Sequence, residues 1–468
     1  MKLLAAWILL CPLLIASHAE SAAQELPNAR VWLTTADRSA LLTEQKDPLT
    51  FSSPANGLPT IDVNDMQQFQ SVDGFGFAIT GGSAQLLMRM ESGPRADLLK
   101  ELFAAPDNGI GVSYLRVTIG SSDMNERVYS YDDLQAGETD AKLSNFSLGP
   151  DRADVIPVLK QILAINPAIK ILASPWSAPP WMKTNNRVKD GHLKPEYYEA
   201  YAEYFVKYIQ QMKAEGIPIT TITVQNEPLN PKNTPSMVMF AEEEDTFIAK
   251  YLEPAFRNAG ITTKVLLYDH NPDVLSYPLS IYADPAAGKF VDGTAFHLYG
   301  GAPSALTDVH NAYPNKNLYM TEQTITSPSG EPLPIAADVS DVLIAAMRNW
   351  SRNVLLWNLA ADPSNGPHTN DGGCSGCQGS VTLDGNRVSR NVGHYAVAHF
   401  SRFVPPGSVR VGSSEQEQLA TVAFLTPDGK IVLVASSTAN FPKAFNVKYH
   451  GKWFTTTLPP ESVGTYVW

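Results

Sequence analysis

Asp154-Val155-Ile156-Pro157-Val158-Leu159-Lys160-Gln161-Ile162-Leu163-Ala164-Ile165 is followed shortly by Ile169-Lys170-Ile171-Leu172-Ala173-Ser174. In the first segment Val155, Val158, Leu159, Ile162 and Leu163 fall on one face of a helix. The second is a short, almost unbroken apolar run, the signature of a strand covered on both faces. A helix feeding such a strand is the unit of a parallel sheet, so the fold turns on whether the unit repeats. Working outward, apolar or β-branched runs recur at Gly74–Ile79, Val112–Ile119, Ile169–Ser174, Ile219–Gln225, Thr263–Tyr268, Gly293–Leu298, Leu318–Thr321 and Asn353–Asn358. Helical periodicity returns between them. Pro195–Ala214 opens on proline and sets Tyr198, Tyr201, Phe205 and Ile209 on one side. Asp245–Ala259 and Ala337–Arg348 follow the same pattern. Eight such units predict an α/β fold, a closed (β/α)8 TIM barrel. An open dinucleotide-binding sheet would need a third glycine that Gly74-Phe75-Gly76-Phe77-Ala78-Ile79 lacks.

The chain continues past the eighth unit. After a helix near Tyr395–Phe403, alternating runs at Leu419–Leu425, Lys430–Ser436, Phe445–Tyr449 and Ser462–Trp468 predict antiparallel strands. Ala29–Thr35 and the surroundings of Phe51 read similarly. The expected organisation is a β-sandwich built from both chain ends, residues 24–66 and 405–468, attached to a barrel over 67–404.

At the amino terminus Lys2 precedes the apolar run Leu3–Ile15, and Ser17-His18-Ala19 offers a cleavage site. Residues 1–23 therefore read as a secretory signal peptide, since the run falls short of the ~20 apolar residues that a bilayer requires. No later stretch is long enough for a transmembrane segment, and a secreted protein, periplasmic or extracellular, is expected. Cys11 would leave with the leader. Cys374 and Cys377 remain, in Gly373-Cys374-Ser375-Gly376-Cys377, and in an exported chain they read first as a local disulfide. Free thiols are the alternative; zinc would need a second ligand pair that is missing nearby. The net charge of −12 and the absence of a Lys/Arg cluster speak against a nucleic-acid partner.

In a barrel of this kind, chemistry sits at the carboxyl ends of the strands. Those ends are polar and aromatic here. The third runs into Ser174-Pro175-Trp176-Ser177-Ala178-Pro179-Pro180-Trp181, the fourth into Gln225-Asn226-Glu227-Pro228, and the sixth into Phe296-His297-Leu298-Tyr299. The seventh ends Thr321-Glu322-Gln323 and the eighth Trp357-Asn358. Glu227 and Glu322 thus crown two strands that face one mouth. Cleaving a glycosidic bond takes one acid to protonate the leaving oxygen and one carboxylate to attack or to activate water. Asn226 is placed to bond the sugar hydroxyl beside the reacting carbon. Sugars offer apolar C–H faces rimmed by hydroxyls, so Trp176, Tyr299 and Trp357 are candidates for a binding floor. Trp181 fits either that floor or the core. His297 is a candidate hydroxyl partner and Asp123 another. Arg116, a charge inside a barrel strand, needs a carboxylate partner, and Glu322 is the candidate. The acidic run Glu242-Glu243-Glu244-Asp245 reads as a solvated helix start. No carboxylate–histidine ligand cluster or phosphate loop stands out, so no metal is expected.

These residues carry a family resemblance. Leu115-Arg116-Val117, Ser174 to Asn185, Gln225-Asn226-Glu227-Pro228, Thr321-Glu322 and Trp357-Asn358-Leu359-Ala360 resemble the glucosylceramidase (glucocerebrosidase) family of clan A retaining glycoside hydrolases, which also includes β-1,6-glucanases. The resemblance spans nearly the whole chain from Gly74 to Val467. It implies a barrel with a β-sandwich and a retaining two-step mechanism, with Glu227 as acid/base and Glu322 as nucleophile. It also implies sugar-site roles for Arg116, Asp123, Trp176, Asn226, His297, Tyr299 and Trp357, a β-glucoside substrate, and no metal or organic cofactor. The turn Ala78-Ile79-Thr80-Gly81-Gly82-Ser83 and the Cys374–Cys377 loop depart from the lysosomal members. Both lie near the expected mouth and leave the aglycone open between ceramide and glucan. A sugar-binding barrel without catalysis would need neither glutamate.

Overall fold

The computed structural model describes residues 26–52, 56–326 and 333–468. The expected signal peptide lies outside the described residues. The chain opens with β1 (Arg30–Thr34), β2 (Thr43–Glu44) and β3 (Thr60–Ser71). Eight strands follow: β4 (Gly74–Ile79), β5 (Tyr114–Ile119), β6 (Lys170–Pro175), β7 (Thr221–Thr223), β8 (Lys264–His270), β9 (Gly293–His297), β10 (Asn317–Glu322) and β11 (Ser351–Leu356). They pair in parallel, and β11 meets β4 to close the barrel that the eight sequence runs predict. β7 is shorter than its apolar run because the backbone beyond it leaves the ladder. Asn226 N–H bonds Pro175 O at 2.8 Å and Glu227 N–H bonds Asp269 O at 3.0 Å.

After the barrel come β12 (Ala360–Ala361), β13 (Val381–Asp384) and β14 (Arg387–Arg390), which form a small sheet of their own. β15 (Val409–Ser413), β16 (Leu419–Leu425), β17 (Ile431–Ser437), β18 (Lys443–Tyr449), β19 (Lys452–Leu458) and β20 (Ser462–Val467) then join the first three strands. The order is β19-β18-β3-β15-β16-β17-β20-β1-β2, so both chain ends build the sandwich, as expected. β3 does not show in the sequence as a strand. Asn64, Asp65, Gln67, Gln68 and Gln70 have weak strand preference, and only Ile61 and Val63 of its first half are buried. It holds its central place by pairing with β18 at Thr60–Asp62 and with β15 beyond, across two register shifts that let one strand serve both layers.

Helix Val155–Ile165 is capped by the Asp154 carboxylate, which accepts the Val155 N–H at 2.6 Å. The expected helix over Asp245–Ala259 begins earlier, at Ala241, and runs through a π segment at Ile248–Leu252. The acidic run is the helix start expected of it, but it is not solvated throughout. Glu244 shares the inward face of the first turn with Phe247 and Ile248, is fully buried, and accepts the Tyr268 N–H at 3.3 Å.

Burial pushes Glu244, Asp151 and Asp338 up to about 7 each. Among the described residues neither carboxylate oxygen of Asp338 has a hydrogen-bond partner to offset the cost of its charge. A raised acid keeps its proton in the native state after the unfolded chain has lost it. Its stabilisation is complete below the ordinary carboxylate range and disappears as pH rises through about 7, at ~1.4 kcal/mol per pH unit for each group. Burial lowers His394 to about 4 and His399 to about 3, so these two oppose the acids only below their ordinary value of 6.5. Stability is therefore expected to fall between pH 6.5 and 8. Thermal unfolding midpoints across pH 5–9 test this, and a midpoint at pH 8 equal to that at pH 6 would count against it.

Candidate active site

The barrel interior is layered. Tyr114, Leu172, Leu266, Ala295, Tyr319 and Leu355 form one apolar tier. Strand side chains alternate, so the next inward residue on each strand is two further on. That step reaches Arg116, Ser174, His297, Thr321 and Trp357, and above Thr221 it reaches Thr223. On β8 the step fails. Tyr268 pairs with Ala295 and His270 with Phe296, leaving Asp269 as an extra residue. Tyr268 and Asp269 have φ of 76° and 49°, the left-handed backbone of a bulge. The bulge turns the Asp269 carboxylate into the barrel in place of the Tyr268 ring.

Asp269 organises the tier. Its Oδ2 accepts from Arg116 Nη2 at 2.7 Å, Ser174 Oγ at 2.6 Å and Thr223 Oγ1 at 2.8 Å. Its Oδ1 accepts from Thr321 Oγ1 at 2.6 Å and His297 Nε2 at 3.2 Å. Arg116 is fully buried and forks upward, Nη1 to Glu322 Oε2 and Nη2 to Asn226 Oδ1 at 2.7 Å. The expected Arg116–Glu322 pair forms; Asp269, its second carboxylate partner, carried no signal in the sequence. Removing one member of so buried a network leaves an uncompensated charge.

Glu227 and Glu322 are 7% and 6% exposed. A carboxylate oxygen of each and a ring nitrogen of His297 lie within 4.8 Å of one another. His297 Nδ1 stands 3.3 Å from Glu227 Oε1 and 3.7 Å from Glu322 Oε1, so the ring links the two glutamates. Tyr299, 42% exposed at the rim, donates its hydroxyl to Glu322 Oε1 at 2.9 Å. Asn230 and Asn233 donate to Glu227 Oε2 at 2.7 and 3.1 Å. Both sit in the loop after β7, and neither stood out in the sequence. Glu227 itself has φ 44°, a left-handed position held by the Asn226 and Glu227 backbone bonds and by Asn230 N–H to Glu227 O at 2.9 Å. The loop is tied down from behind by buried Lys183, which donates to Ser236 O at 2.6 Å and Ser177 Oγ at 2.8 Å.

Burial works to raise Glu227, but the hydrogen bond and charge of His297, the charge of His270 and the Asn230 amide outweigh it and hold the carboxyl down at about 2. Burial raises Glu322 against the pull of His297 and Arg116, and the charges of Glu227 and Asp269 push the same way. His297 goes up to about 10: burial opposes its charge, but Glu322, Asp269 and Glu227 favour it. Arg116 holds Asp269 far below the carboxylate range despite its burial. Two cations thus face three carboxylates, and this field favours the ionised form of Glu227 and the protonated form of Glu322. The carboxylate–histidine cluster that the fold assembles, unseen in the sequence, is joined by hydrogen bonds and charge through the His297 ring.

Trp176 and Trp357 stack at 5.3 Å, with the Arg116 guanidinium 4.8 Å over Trp176. Ala78, Met124 and Cys377 complete this cluster, and Asp123 is buried close by. Cys374 and Cys377 are joined as a disulfide. Trp181 turns away; it is buried in the main core and donates to Asp132 O at 3.0 Å.

Residues 72–404 match the model of the glycosyl hydrolase family 30 TIM-barrel domain, and 407–466 that of the family 30 β-sandwich domain. The chain belongs to glycosyl hydrolase family 30. The resemblance read from its motifs is thereby met, and the protein is a glycosidase. Its relatives within family 30 include an endo-1,6-β-D-glucanase of Aspergillus fumigatus, 34% identical over 87% of each chain. The lysosomal acid glucosylceramidase of Mus musculus is 30% identical over 86% of this chain and 82% of its own. A solved endo-β1,6-glucanase superposes with a TM-score of 0.87 at 36% identity, covering 94% of this chain and 99% of its own.

Proposed function

We propose that this family 30 enzyme is a secreted hydrolase of β-1,6-linked glucan, acting with retention through Glu322 as nucleophile and Glu227 as acid/base. One observation carries the chemistry: two buried carboxylates with oxygens within 4.8 Å, bridged by one cationic histidine. Carboxyl groups ~5–5.5 Å apart leave no room for a water between them and suit a covalent glycosyl-enzyme. In the first half the proton that burial favours on Glu322 passes to Glu227 as substrate enters, and Glu322, paired with Arg116 and Tyr299, attacks the anomeric carbon while Glu227 gives that proton to the leaving oxygen. The pair then still carries one negative charge, now on Glu227, so the surrounding cations need no rearrangement. In the second half Glu227 takes a proton from water. His297, Asn230 and Asn233 favour its ionised form, which is the form that step requires. Asn226, Asp123, Trp176, Trp357, Tyr299 and Arg116 hold the glycone.

The glucan reading draws on endo-1,6-β-D-glucanases among the relatives and on the surface beyond Glu227. A hollow of about 810 Å³ there is lined by the amide and charged side chains Asn185, Asn186, Arg187, Lys189, Lys232 and Asp371 interleaved with Pro180, Val188 and Pro231. Polar groups set between apolar patches suit a sugar chain, whose C–H faces alternate with hydroxyls. The 30% identity to the mouse glucosylceramidase supports glucosylceramide as a second reading. Initial rates on β-1,6-glucan beside glucosylceramide in detergent, with Glu322→Gln as blank, separate the two. The glucan is expected to be cleaved at least about tenfold faster; a preference for the lipid would reverse the proposal.

A further inference from the structure

Lys183 carries a charge that no step of the glycosidic chemistry uses. It stands in the loop after β6, fully buried, and its ammonium donates to three neutral oxygens: Ser236 O at 2.6 Å, Ser177 Oγ at 2.8 Å and Val188 O at 3.2 Å. The placement is costly. Burial pushes Lys183 down to about 7, with the charge of Asp190 pulling the other way. An apolar side chain would fill the space without that cost, but only an ammonium carries three donors on one atom. Those donors end on three stretches of chain. Ser177 follows Trp176, Val188 lies farther along the same loop, and Ser236 belongs to the loop that runs on from Glu227. The backbone laces the last two together. Ser236 N–H bonds Val188 O at 3.0 Å, Val238 N–H bonds Gly191 O at 2.9 Å, and Asp190 N–H bonds Ser236 Oγ at 2.9 Å. From Ser236 the path to Glu227 is short. Its hydroxyl donates to Pro231 O at 3.0 Å, Pro231 follows Asn230, and Asn230 and Asn233 donate to Glu227 Oε2 at 2.7 and 3.1 Å.

We infer that Lys183 is a positioning residue of the acid: its ammonium fastens the loop after β7 to the loop after β6, so that Asn230 and Asn233 hold the Glu227 carboxyl at the leaving oxygen. The inference rests on the reading of Glu227 as acid/base. β7 ends at Thr223, so the strand ladder does not reach Glu227, and the hydrogen bonds on its Oε2 come from its own loop. Without the ammonium the backbone bonds still fold that loop back, but they hold Asn230 and Asn233 less narrowly. A proton donor that is slightly displaced loses part of its effect. The loss falls on one step. Protonation counts for more when the leaving group is poor, so a displaced acid slows a poor leaving group more than a good one. A residue that only holds the fold changes the number of active molecules, and every substrate then slows alike.

The test compares kcat/KM of the native enzyme and of Lys183→Met on dinitrophenyl β-glucoside, phenyl β-glucoside and a gentio-oligosaccharide. Active molecules are first counted with a slowly released 2-deoxy-2-fluoro glucoside, and thermal unfolding confirms the fold. kcat/KM reports formation of the glycosyl-enzyme, the step in which Glu227 gives its proton. The expected result is a loss on phenyl glucoside about tenfold greater than on dinitrophenyl glucoside, a fraction of the ~10²–10⁴-fold that a general acid supplies. The oligosaccharide is expected to follow the phenyl glucoside. An equal loss on all three substrates, or no loss, overturns the inference. Glu227→Gln in the same series keeps the two readings apart. A steep dependence on the leaving group there, beside a flat one in Lys183→Met, overturns the inference alone; a flat Glu227→Gln overturns the acid assignment and the inference with it. Should Lys183→Met fail to fold, Ser236→Ala decides. It removes the hydroxyl that reaches Pro231, leaves every charge in place, and is expected to raise the same ratio about threefold, the scale of one neutral hydrogen bond. An unmoved ratio in that variant overturns the inference.

Discussion

Glu322→Gln is expected to lower kcat on any β-glucoside by at least about 10⁴-fold while leaving the fold intact. The amide keeps the volume and the acceptor oxygen, so Arg116 and Tyr299 retain a partner, but it has no charge with which to form the glycosyl-enzyme bond. Glu227→Gln separates the two roles. It removes the proton donor, and the loss depends on how much the leaving group needs protonation. A dinitrophenyl glucoside, which leaves without help, is expected to form the covalent intermediate in a burst and then stall, because no base activates water. A natural glucan is expected not to react at all. Glu322→Gln is expected to give neither burst nor turnover with either substrate. Retention of more than about 1% of the native rate by Glu322→Gln would remove it as the nucleophile, and a Glu227→Gln rate indifferent to the leaving group would remove Glu227 as the acid.

Asp269→Asn is expected to be nearly as damaging, although Asp269 touches no substrate in the proposed mechanism. Its carboxylate meets Arg116 Nη2 at 2.7 Å and His297 Nε2 at 3.2 Å, and all three side chains are fully buried. Without that charge Arg116 loses one of its two ionic partners, and His297 loses one of the three carboxylates that keep it cationic. Breaking a buried pair in this way costs about 3–5 kcal/mol of stability. The effect on catalysis follows from the sign of the remaining charges. A His297 that loses its charge no longer holds Glu227 down, so the one proton of the pair is bound more tightly and the alkaline limb of the pH–rate profile, which marks its loss, is expected to move to higher pH. A stability loss with an unmoved pH profile would assign Asp269 to the fold alone. A profile that shifts without loss of stability would mean that the Arg116 charge finds another partner.

The sequence carried the architecture because the barrel is a local repeat. Each strand is buried on both faces, so its apolar run is visible without knowledge of its neighbours, and each helix writes its inward face at helical spacing. Glu227 and Glu322 were legible for a related reason: both stand where an apolar run ends, and in a closed parallel barrel such ends converge on one mouth. Arg116 announced itself as a charge inside a strand. β3 did not, since its polar residues are stabilised by pairing on both sides with strands that lie hundreds of residues away in the chain.

The order of parts and the convergence of their chemistry were thus determined by the sequence alone. The tertiary structure decided which side chains share the proton. A count of alternate residues from Leu266 puts Tyr268 inside the barrel, and only the mismatch between β8 and β9 creates the bulge that puts Asp269 there instead. It also set the His297 ring between the two glutamates and brought Asn230 and Asn233 onto Glu227. Alternation and helical period are properties of a single segment. Register shifts, loop closure and the field of several buried charges depend on segments far apart in the chain, and they exist only once those segments have been brought together.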